Sequence, residues 1–567
     1  MITRVSVQYF KRFYKQDFEL SDHVVLAGHN NAGKTTLLQA IAVWNLALQK
    51  WNAERGPTTK SQAKLRTGVP ITRSEFSAIP LREMKLLWTD TTTGLTQKEL
   101  KEGQRLGYPR PLTITLTGRW SERSWKLAFE IRYQNSELVY VKPPAEDIYD
   151  VAKAWEDVRV VHVPPFSGIG AQETRHDPPY QDMLIGQGKP GDILRNLLYE
   201  LSQQSDKTDW KALVKEVEEI FGFTLLPPAY EGRPYILAEY QPRVTTPGPP
   251  PRLDISNAGS GFHQVLVLLG FLYARPATVL LLDEPDAHQH VILQKQIYDR
   301  LRSIAEKRNC QLIVATHSEV IVGSTSPSQI LSFYREPHQL VTDTERDQVR
   351  EALKRITAMD ILLAEPSPGV LYVEGETDFN LLRAWARVLD HVLAKMWFDK
   401  YPFWHSNQGR NPREARSHFF ALSAIKPEIR GYLLLDGDNR NLPDRDCGAE
   451  GLVIARWDRY EAESYLVHKD ALLRYISRES GPLFAASANT YMSDFLPPAV
   501  LRDPLGDYDY LKRTPASKTI IPGLLEAGDV RIKKNEYYLI AEQMQPNEVA
   551  AEVTQKLDDI ARTFGLL

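Results

Sequence analysis

Cysteine is nearly absent from this 567-residue chain, which contains only Cys310 and Cys447. Two cysteines cannot build a disulfide framework, and alone they cannot form a zinc ribbon, so the sequence excludes both kinds of small stapled domain. The chain also lacks any run of 18 apolar residues, and residues 1–13 alternate as a strand and do not resemble a targeting signal. These absences predict a soluble, cytoplasmic protein with no membrane partner.

Neither sign of charge is in large excess. The chain has 69 Lys and Arg against 72 Asp and Glu, which gives a net charge of -3. A surface that binds nucleic acid must therefore be local, and total charge neither favours nor excludes such a partner.

A long heptad repeat is absent too, which excludes a coiled-coil rod. The length and the 43% hydrophobic content suffice for two to four domains.

The most specific motif is a phosphate-binding loop near the N-terminus. Residues 28–35 read GHNNAGKT and fit G-x-x-x-x-G-K-[ST], between an apolar strand at 24–27 and a helical pattern at 36–48. In such a loop, backbone amides cradle the phosphates, the lysine reaches the β- and γ-phosphates, and the threonine binds Mg²⁺. The predicted nucleotide-binding residues here are Gly28, Asn30, Asn31, Ala32, Gly33, Lys34, Thr35 and Thr36.

Two later apolar strands end in residues that suit the same nucleotide. The strand at 278–282 leads to Asp283 and Glu284, and the strand at 311–315 leads to His317. Asp283 would hold Mg²⁺, Glu284 would polarise a water against the γ-phosphate, and His317 would contact that phosphate. Taken alone, the acidic pair is more typical of a helix N-cap, so this interpretation depends on the upstream loop.

A glycine-serine segment lies between these motifs. Residues 256–264 read SNAGSGFHQ and place Ser260 and Gly261 at a predicted helix start, where unpaired amides and the helix dipole favour an anion. An ordinary N-cap is the alternative. The position of the segment, after a phosphate loop and about 20 residues before the acidic strand end, favours nucleotide binding.

The motifs GHNNAGKT, NAGSGFHQ, LLLDEPDAHQH and ATHS resemble, in this order, those of ATPase heads of the ABC superfamily, closest to the RecF, SMC and OLD (overcoming lysogenization defect) group. The resemblance covers residues 1–345. It implies ATP and Mg²⁺ as cofactors, Glu284 as the catalytic carboxylate and His317 as the switch histidine. It also implies a homodimer or higher homo-oligomer of heads, in which Ser260 and Gly261 reach the γ-phosphate bound by another copy.

The segment between the loop and the glycine-serine motif is less specific. Residues 51–157 contain strand-like runs at 112–116 and 125–133, which predict a β-rich insertion beside the nucleotide. A lid glutamine could be Gln172 or Gln181, although glutamine in a loop is more often only solvated.

Residues 365–369, EPSPG, interrupt a helical pattern and predict a domain boundary. We therefore expect an ATPase head at 1–345, a helical connector at 346–367 and a second domain at 368–567. The fold class is α/β in both domains, and the second is predicted to be Rossmann-like with a parallel sheet.

Three apolar strands of the second domain are each followed by carboxylates. The carboxyl ends of parallel strands lie at the same edge of a sheet, so we expect these carboxylates to lie close together. A cluster of like charges requires divalent cations, and ligation by oxygen alone suits Mg²⁺ or Mn²⁺. Two such ions can activate a water and stabilise the leaving oxygen in phosphodiester cleavage. The expected ligands are Glu374, Asp378, Asp436, Asp438 and Glu463.

VEGETD, LLLDGD and EAESYL in this domain resemble the TOPRIM domain of OLD-family nucleases. The resemblance implies that the five carboxylates bind metal or activate water, with Glu374, Asp436 and Asp438 as catalytic residues. It also implies a lysine near the C-terminus that neutralises charge in the transition state. Lys534 is the first candidate, with Lys533 and Lys518 behind it.

Together the halves resemble an OLD-family ATP-dependent nuclease, a group found in bacterial antiviral defence that includes Gabija, retron-associated and PARIS systems. The resemblance implies cleavage of DNA or tRNA under the control of a head dimer, and a partner chain from the defence system. Three alternatives remain: an ATP-driven sensor or scaffold with a vestigial TOPRIM site, a DNA repair or recombination ATPase, and another TOPRIM enzyme. Of the last class, a topoisomerase needs a nucleophilic tyrosine domain, and a primase needs a zinc module that two cysteines cannot supply.

Overall fold

A computed structural model describes the protein over most of its length. The chain divides into two compact units, Met1–Leu353 and Lys354–Leu567, and the division falls within the segment predicted as a connector. Both units combine helices with sheets, so the predicted α/β class is confirmed. The described residues are 1–56, 67–99, 108–120, 123–147, 158–243, 250–287, 289–334, 336–407, 412–438 and 450–567.

The strands fall into four sheets. Those of the first unit are β1 Ile2–Phe10, β2 Phe13–Glu19, β3 Val24–Ala27, β4 Val69–Thr72, β5 Leu112–Trp120, β6 Arg123–Asn135, β7 Leu138–Lys142, β8 Val160–Val163, β9 Phe223–Leu225, β10 Glu239–Pro242, β11 Leu253–Asp254, β12 Val279–Asp283, β13 Gln311–Thr316, β14 Ile330–Ser332 and β15 His338–Gln339. Those of the second unit are β16 Gly369–Val373, β17 Trp404–Ser406, β18 Arg430–Leu435 and β19 Leu452–Arg456.

The α-helices are distributed over both units. The first unit has α1 Lys34–Arg55, α2 Pro178–Gly186, α3 Leu194–Gln203, α4 Thr208–Phe221, α5 Ser260–Ala274, α6 Val291–Lys307 and α7 Glu319–Ser324, and α8 Asp343–Arg355 crosses the boundary. The second has α9 Ala358–Ala364, α10 Glu376–Val388, α11 Arg413–Ile425, α12 Lys469–Ser480, α13 Pro482–Phe495, α14 Pro498–Arg502, α15 Asp509–Arg513, α16 Ile521–Ala527, α17 Tyr538–Ala541 and α18 Ala551–Thr563. None of these helices combines the length and the hydropathy needed to span a membrane.

An antiparallel sheet of six strands forms one layer of the first unit, in the order β2-β1-β5-β6-β7-β4. The predicted β-rich insertion therefore pairs directly with the N-terminal hairpin. Alternate residues of β5 point into the core, since Leu112, Ile114 and Leu116 are fully buried. Helix α1 is anchored to this layer by Trp44, whose Nε1 donates to the carbonyl of Leu127 at 3.0 Å.

The second large sheet of this unit has the order β15-β14-β3-β13-β12-β8 and is parallel except for β15. Every residue of β3, β12 and β13 is buried, as expected for central parallel strands covered on both faces. These three strands pair side by side. Because they run in the same direction, the phosphate loop after β3, the acidic end of β12 and the histidine after β13 lie at one edge.

The second unit is built on a sheet of four parallel strands, in the order β17-β16-β18-β19. Helix α10 follows β16 and buries an apolar face that includes Leu381, Leu382 and Trp385. The sheet places the residues after β16 and β18 at the same edge, which is the arrangement that the sequence predicted for the carboxylates.

The helical pattern at 342–363 divides into two helices, α8 and α9. The break falls at Ile356 and Thr357, because Thr357 starts a new helix as a capping residue. Its backbone N–H and hydroxyl donate to Asp360 Oδ2 at 2.8 and 2.7 Å, and the amide of Asp360 donates back to the hydroxyl at 3.2 Å.

Candidate functional site

The phosphate loop adopts a conformation that requires its two glycines. Gly33 has a φ of 112°, and a Cβ at this position would lie 2.7 Å from the ring of Phe13. A Cβ on Gly28 would lie 2.9 Å from the Cβ of Phe333. Of the other predicted loop residues, Asn30 and Asn31 are exposed, Ala32 is buried and Thr36 is half-buried in the first turn of α1.

Lys34 lies folded into this loop. Its Nζ donates to the carbonyl oxygens of Gly28 at 2.7 Å and His29 at 2.9 Å, and the residue is only 5% exposed. Burial lowers the pKa of Lys34, while Glu284 and Asp283 act in the opposite direction. The ammonium group is therefore held beside two carboxylates, in the position where a phosphate could replace the loop carbonyls.

Thr35 and Asp283 form a pair that fits Mg²⁺. The Thr35 hydroxyl donates to Asp283 Oδ1 at 3.0 Å, and the second carboxylate oxygen, Oδ2, is buried without a hydrogen-bond partner. Burial raises the pKa of Asp283 to about 6 against the hydrogen bond from Thr35. A buried carboxylate oxygen beside a hydroxyl is the oxygen environment that Mg²⁺ prefers, so Thr35 and Asp283 would hold the ion.

Glu284 and His317 face each other across the same strand ends. His317 Nδ1 lies 3.5 Å from Glu284 Oε1. This contact lowers the pKa of Glu284 and raises the pKa of His317. Glu284 has a left-handed φ of 52°, and its amide donates to the carbonyl of Ala315 at 2.9 Å. The backbone thus turns sharply at the residue expected to position water.

The glycine-serine motif is tied to this turn through two glutamines. Ser260 is exposed at the first residue of α5, and Gly261 follows it. The side-chain amide of Gln264 donates to the carbonyl of Glu284 at 3.1 Å, and that of Gln289 donates to the carbonyl of Gly261 at 2.8 Å. The start of α5 therefore presents an open helix N-terminus next to the acidic loop.

The structure does not support Gln181 as a lid. This side chain is fully buried. It donates to Glu200 Oε1 and to the carbonyl of His176, and it accepts a hydrogen bond from Arg275. Gln181 is therefore a packing residue, whereas Gln172 is exposed.

A second group of charged residues lies at the edge of the sheet in the second unit. Glu374 directly follows β16, and Asp378 lies in the first turn of α10, where its Oδ2 accepts from the amide of Gly375 at 3.0 Å. Asp436 directly follows β18, and Asp438 is partly exposed two residues later. Glu463 is 1% exposed in the 3₁₀-helix Ala462–Leu466.

These carboxylates are close enough to influence one another strongly. Burial raises the pKa of Asp436 far above its usual range, and Asp378, Glu374 and Glu463 raise it further. Burial also raises the pKa of Asp378 to about 7, with Glu463 as the next cause. Four of the predicted acidic residues, Glu374, Asp378, Asp436 and Glu463, are therefore close enough to repel one another.

Lys534 is a cation that lies beside this cluster. Its Nζ lies 2.7 Å from Glu463 Oε1. Although partial burial opposes it, the carboxylates of Glu463 and Glu461 raise the pKa of Lys534. Of the two other lysines considered, Lys518 is exposed and the backbone amide of Lys533 donates to Glu536.

Comparisons with known proteins address the first unit. Residues 24–323 match the family model described as "AAA domain, putative AbiEii toxin, Type IV TA system". The chain belongs to this family. The matched range contains the phosphate loop, Asp283, Glu284 and His317, so the first unit carries an ATP-binding ATPase head. No curated protein matches the chain.

Solved structures similar to this AAA-family chain include heads of SMC proteins. The SMC head bound to the C-winged helix domain of ScpA is 15% identical with a TM-score of 0.36, and the match covers 61% of this chain and 99% of that one. The SMC head domain from Thermotoga maritima is 13% identical with a TM-score of 0.31, covering 58% and 94%. The SMC head with an extended coiled coil, bound to the C-terminal domain of ScpA derived from Pyrococcus furiosus, is 13% identical with a TM-score of 0.33, covering 58% and 92%.

Sequence reasoning missed two carboxylates of this AAA-family protein. Asp286 is 4% exposed and accepts from the hydroxyl of Thr316 at 2.6 Å, which joins the ends of β12 and β13. Glu461 is 5% exposed, accepts from the amide of Ser517 at 2.5 Å and raises the pKa of Asp436. Each lies two residues from a predicted site residue, and that spacing was the available signal.

Proposed function

We propose that this chain is an ATP-dependent nuclease, in which a dimer of AAA-family heads controls a Mg²⁺-dependent phosphodiesterase site in the second unit. The observation that carries the proposal is the half-buried Asp436 carboxylate at the edge of a parallel sheet, whose pKa is raised by partial burial and by the neighbouring Asp378, Glu374 and Glu463. A fold gains nothing from this repulsion unless a cation relieves it. The similarity of the strand-end motifs to the TOPRIM domain of OLD-family nucleases supports the same assignment.

In the head, Lys34 would release the carbonyls of Gly28 and His29 and bind the β- and γ-phosphates. Thr35 and Asp283 would hold Mg²⁺, which neutralises charge on the phosphates. Glu284, held by His317, would orient the attacking water and accept its proton. Because α5 begins with an exposed Ser260, the same helix end of a second copy could complete the γ-phosphate site, and this would couple ATP binding to dimerisation.

In the second unit, Glu374, Asp378, Asp436 and Glu463 would hold Mg²⁺ or Mn²⁺, with Asp438 as a further ligand. The bound ions would activate a water and stabilise the leaving oxygen of a phosphodiester. Lys534, which contacts Glu463, would move onto the scissile phosphate once the ions neutralise that carboxylate.

The substrate class that we propose is nucleic acid, either DNA or tRNA, and the setting is antiviral defence in the cytoplasm together with a partner chain. The name of the family, which describes a putative toxin of a toxin-antitoxin system, agrees with a protein whose nuclease must be restrained until it is needed. The ATP state of the head dimer would control the nuclease site.

The test is a cleavage assay on the purified chain. Duplex DNA, single-stranded DNA and tRNA are incubated with Mg²⁺ or Mn²⁺, with and without ATP, and the assay is repeated on Glu284→Gln, which should bind ATP without hydrolysing it. We expect one substrate to be cut only with a divalent cation, and ATP or the variant to change the rate. If none of the substrates is cut under any nucleotide condition, the proposal fails.

A second candidate function is an ATP-driven sensor or scaffold with an inactive second site. Lys534 favours it, because an ammonium group beside Glu463 already satisfies part of the negative charge. In addition, among the residues that the structure describes, the acidic cluster offers no three ligand atoms that all lie within 4.8 Å of one another. The two candidates differ in Mg²⁺ binding by the second unit, which only the nuclease requires.

A further inference from the structure

The second unit contains a group of potential metal ligands that differs in chemistry from the acidic cluster. Asp360 on α9, His405 on β17 and His418 on α11 each offer one ligand atom, and these three atoms lie within 4.8 Å of one another. The three residues come from separate segments of the chain, so the fold brings them together. The rings of His405 and His418 have centroids 4.2 Å apart.

The buried nitrogen of His418 is the strongest sign of a ligand. His418 is 1% exposed, and its Nε2 has no hydrogen-bond partner. The nearest carboxylate oxygen, Oδ2 of Asp360, lies 3.6 Å away, which is too far for a hydrogen bond. Buried polar atoms are nearly always paired in folded proteins, so an unpaired imidazole nitrogen facing a buried carboxylate requires an explanation.

The surrounding contacts are compatible with metal binding by both rings. His405 Nδ1 lies 2.9 Å from the carbonyl oxygen of Ser406, and because a carbonyl only accepts, this nitrogen carries the proton and the lone pair is on Nε2. His418 Nδ1 lies 2.9 Å from the hydroxyl of Tyr372, and in the tautomer in which Nδ1 donates to this hydroxyl the lone pair of His418 is on Nε2. Hydrogen bonds of this kind at the second ring nitrogen are usual for histidines that bind metals.

The carboxylate is oriented in the same way. Oδ2 of Asp360 accepts from the amide and the hydroxyl of Thr357 in the capping box that begins α9. The cap fixes the position of the carboxylate without needing any contact with His418. Asp360 is therefore held in place beside the two imidazoles, and its side chain is 12% exposed.

We propose that Asp360, His405 and His418 bind one divalent first-row transition-metal ion such as Zn²⁺. Two imidazoles and one carboxylate form a mixed N/O set that selects this class over Mg²⁺, which prefers oxygen ligands alone. The ion would join α9, β17 and α11 into one clip. It would also fix Tyr372, which lies on β16 two residues before Glu374, and so would stiffen the strand that carries a carboxylate of the acidic cluster.

The competing explanation is a metal-free ion pair between a protonated His418 and Asp360. Metal-free protein is therefore titrated with Co²⁺, whose visible absorption reports imidazole ligation, in millimolar Mg²⁺ to occupy the carboxylate-only site. Zinc content after dialysis against Zn²⁺ gives the stoichiometry. We expect the parent to bind one equivalent of Co²⁺ or of Zn²⁺ and to show a visible cobalt band. His405→Gln and His418→Gln should lose the bound zinc and the cobalt band.

Two further variants sharpen the test. Tyr372→Phe removes the partner of His418 Nδ1 and should weaken Co²⁺ binding about 10- to 100-fold without changing the stoichiometry. His468→Gln is the matched control. Its group with Asp470 and Glu548 has a similar composition, but Glu548 is already paired with Arg474 at 2.6 and 2.9 Å. This variant should bind like the parent.

The proposal is overturned if the parent gives no visible cobalt band, if His405→Gln binds as much as the parent, or if His468→Gln loses the band. Circular dichroism checks that each variant is folded. His405 is only half-buried, so this variant still decides the question if His418→Gln does not fold. Co²⁺ binding is measured without nucleic acid or ATP, so its result is independent of whether the protein is a nuclease.

Discussion

The two carboxylate sites of this chain are built on the same plan but differ in their balance of charge. Each lies where parallel strands end. In the head, Asp283, Glu284 and Asp286 are accompanied by Lys34 and His317, whose charges act on them directly. In the second unit, Lys534 lies beside the cluster, and the carboxylates are Glu374, Asp378, Asp436, Glu461 and Glu463.

This difference indicates what each site needs in order to function. The head has a smaller excess of negative charge before its ligand arrives, and a triphosphate would bring negative charge to a lysine of the phosphate loop. The acidic cluster has an excess of negative charge, so one or more of its carboxylates must stay protonated or a cation must bind. The head therefore suits an anionic ligand, and this excess of negative charge supports the proposal that the second unit binds a metal ion.

The largest expected effect comes from removing the positive charge of Lys34 in the head. Lys34→Ala removes the ammonium that lies between the loop carbonyls and the two carboxylates, so the γ-phosphate loses its principal positive contact. We expect ATP hydrolysis to fall by about 10²- to 10³-fold, as when one preorganised donor is removed from an active site. Steady-state phosphate release measures it.

Lys85→Ala is the matched control for this prediction. Lys85 is an exposed lysine of the same unit that pairs with Glu83 at 2.8 Å. The Lys85→Ala variant should hydrolyse ATP at the same rate as the parent. Equal turnover by the Lys34 variant and the parent would mean that the loop does not bind the nucleotide as proposed.

The second effect should be of similar size but confined to cleavage. Asp436→Asn removes the most strongly perturbed carboxylate while keeping its shape, so the cluster loses a metal ligand and cleavage should fall by about 10²-fold or more. ATP hydrolysis should remain within about twofold of the parent. Asp494→Asn, an exposed aspartate on α13, serves as control. Undiminished cutting by the Asp436 variant would remove the second site from the mechanism.

Much of this architecture could be predicted from the sequence, because motifs that bind phosphate or metal are local. GHNNAGKT follows β3, and the acidic residues follow β12, β16 and β18. If the sheets are assumed to be parallel, residues that follow neighbouring strands lie at one edge, and both candidate sites can be predicted from the sequence. The strand register then brings Asp283 and Thr35 into contact, as the motif spacing implied. The α/β class could be predicted for the same reason.

The remainder depends on contacts between distant parts of the chain, which no local pattern reports. Nothing in the apolar alternation of β5 and β6 shows that they extend the N-terminal hairpin. Glu461 and Glu463 are two residues apart, and the sequence could not show which of them faces the cluster. In the structure both are buried. Asp360, His405 and His418 have no motif at all, since they meet only after α9, β17 and α11 have packed.

A smaller effect should follow from removing the lysine that lies beside the acidic cluster. Lys534→Met keeps the apolar stem but takes the ammonium away from Glu463. If Lys534 stabilises the transition state, cleavage should fall about 10- to 100-fold while Mg²⁺ binding improves, because the carboxylate no longer has a competing partner. Lys518→Met, at an exposed lysine, is the control. Faster cleavage in the Lys534 variant would assign this lysine an inhibitory role instead.

The smallest effect is a shift in stability with pH, and it tests the excess of charge directly. The pKa of Asp378 is raised to about 7, so the folded chain holds this proton more tightly than the unfolded chain. Stability from such a group is present below the unfolded pKa and is lost as the pH rises through the folded one. Without divalent cations, the melting temperature of the second unit should therefore fall by about 2–4 °C between about pH 6 and pH 8.

Mg²⁺ should reverse this loss at the higher pH, because it binds the ionised carboxylates and stabilises the folded state by mass action. Asp436→Asn relieves the repulsion and should flatten both responses, which differential scanning calorimetry can follow. The head provides the internal comparison. Since Lys34 and His317 offset part of the charge of its carboxylates, its transition should respond less to Mg²⁺ alone and more to Mg²⁺ with ATP. A second unit whose melting temperature rises from about pH 6 to pH 8 without metal would contradict the charge imbalance on which the comparison of the two sites depends.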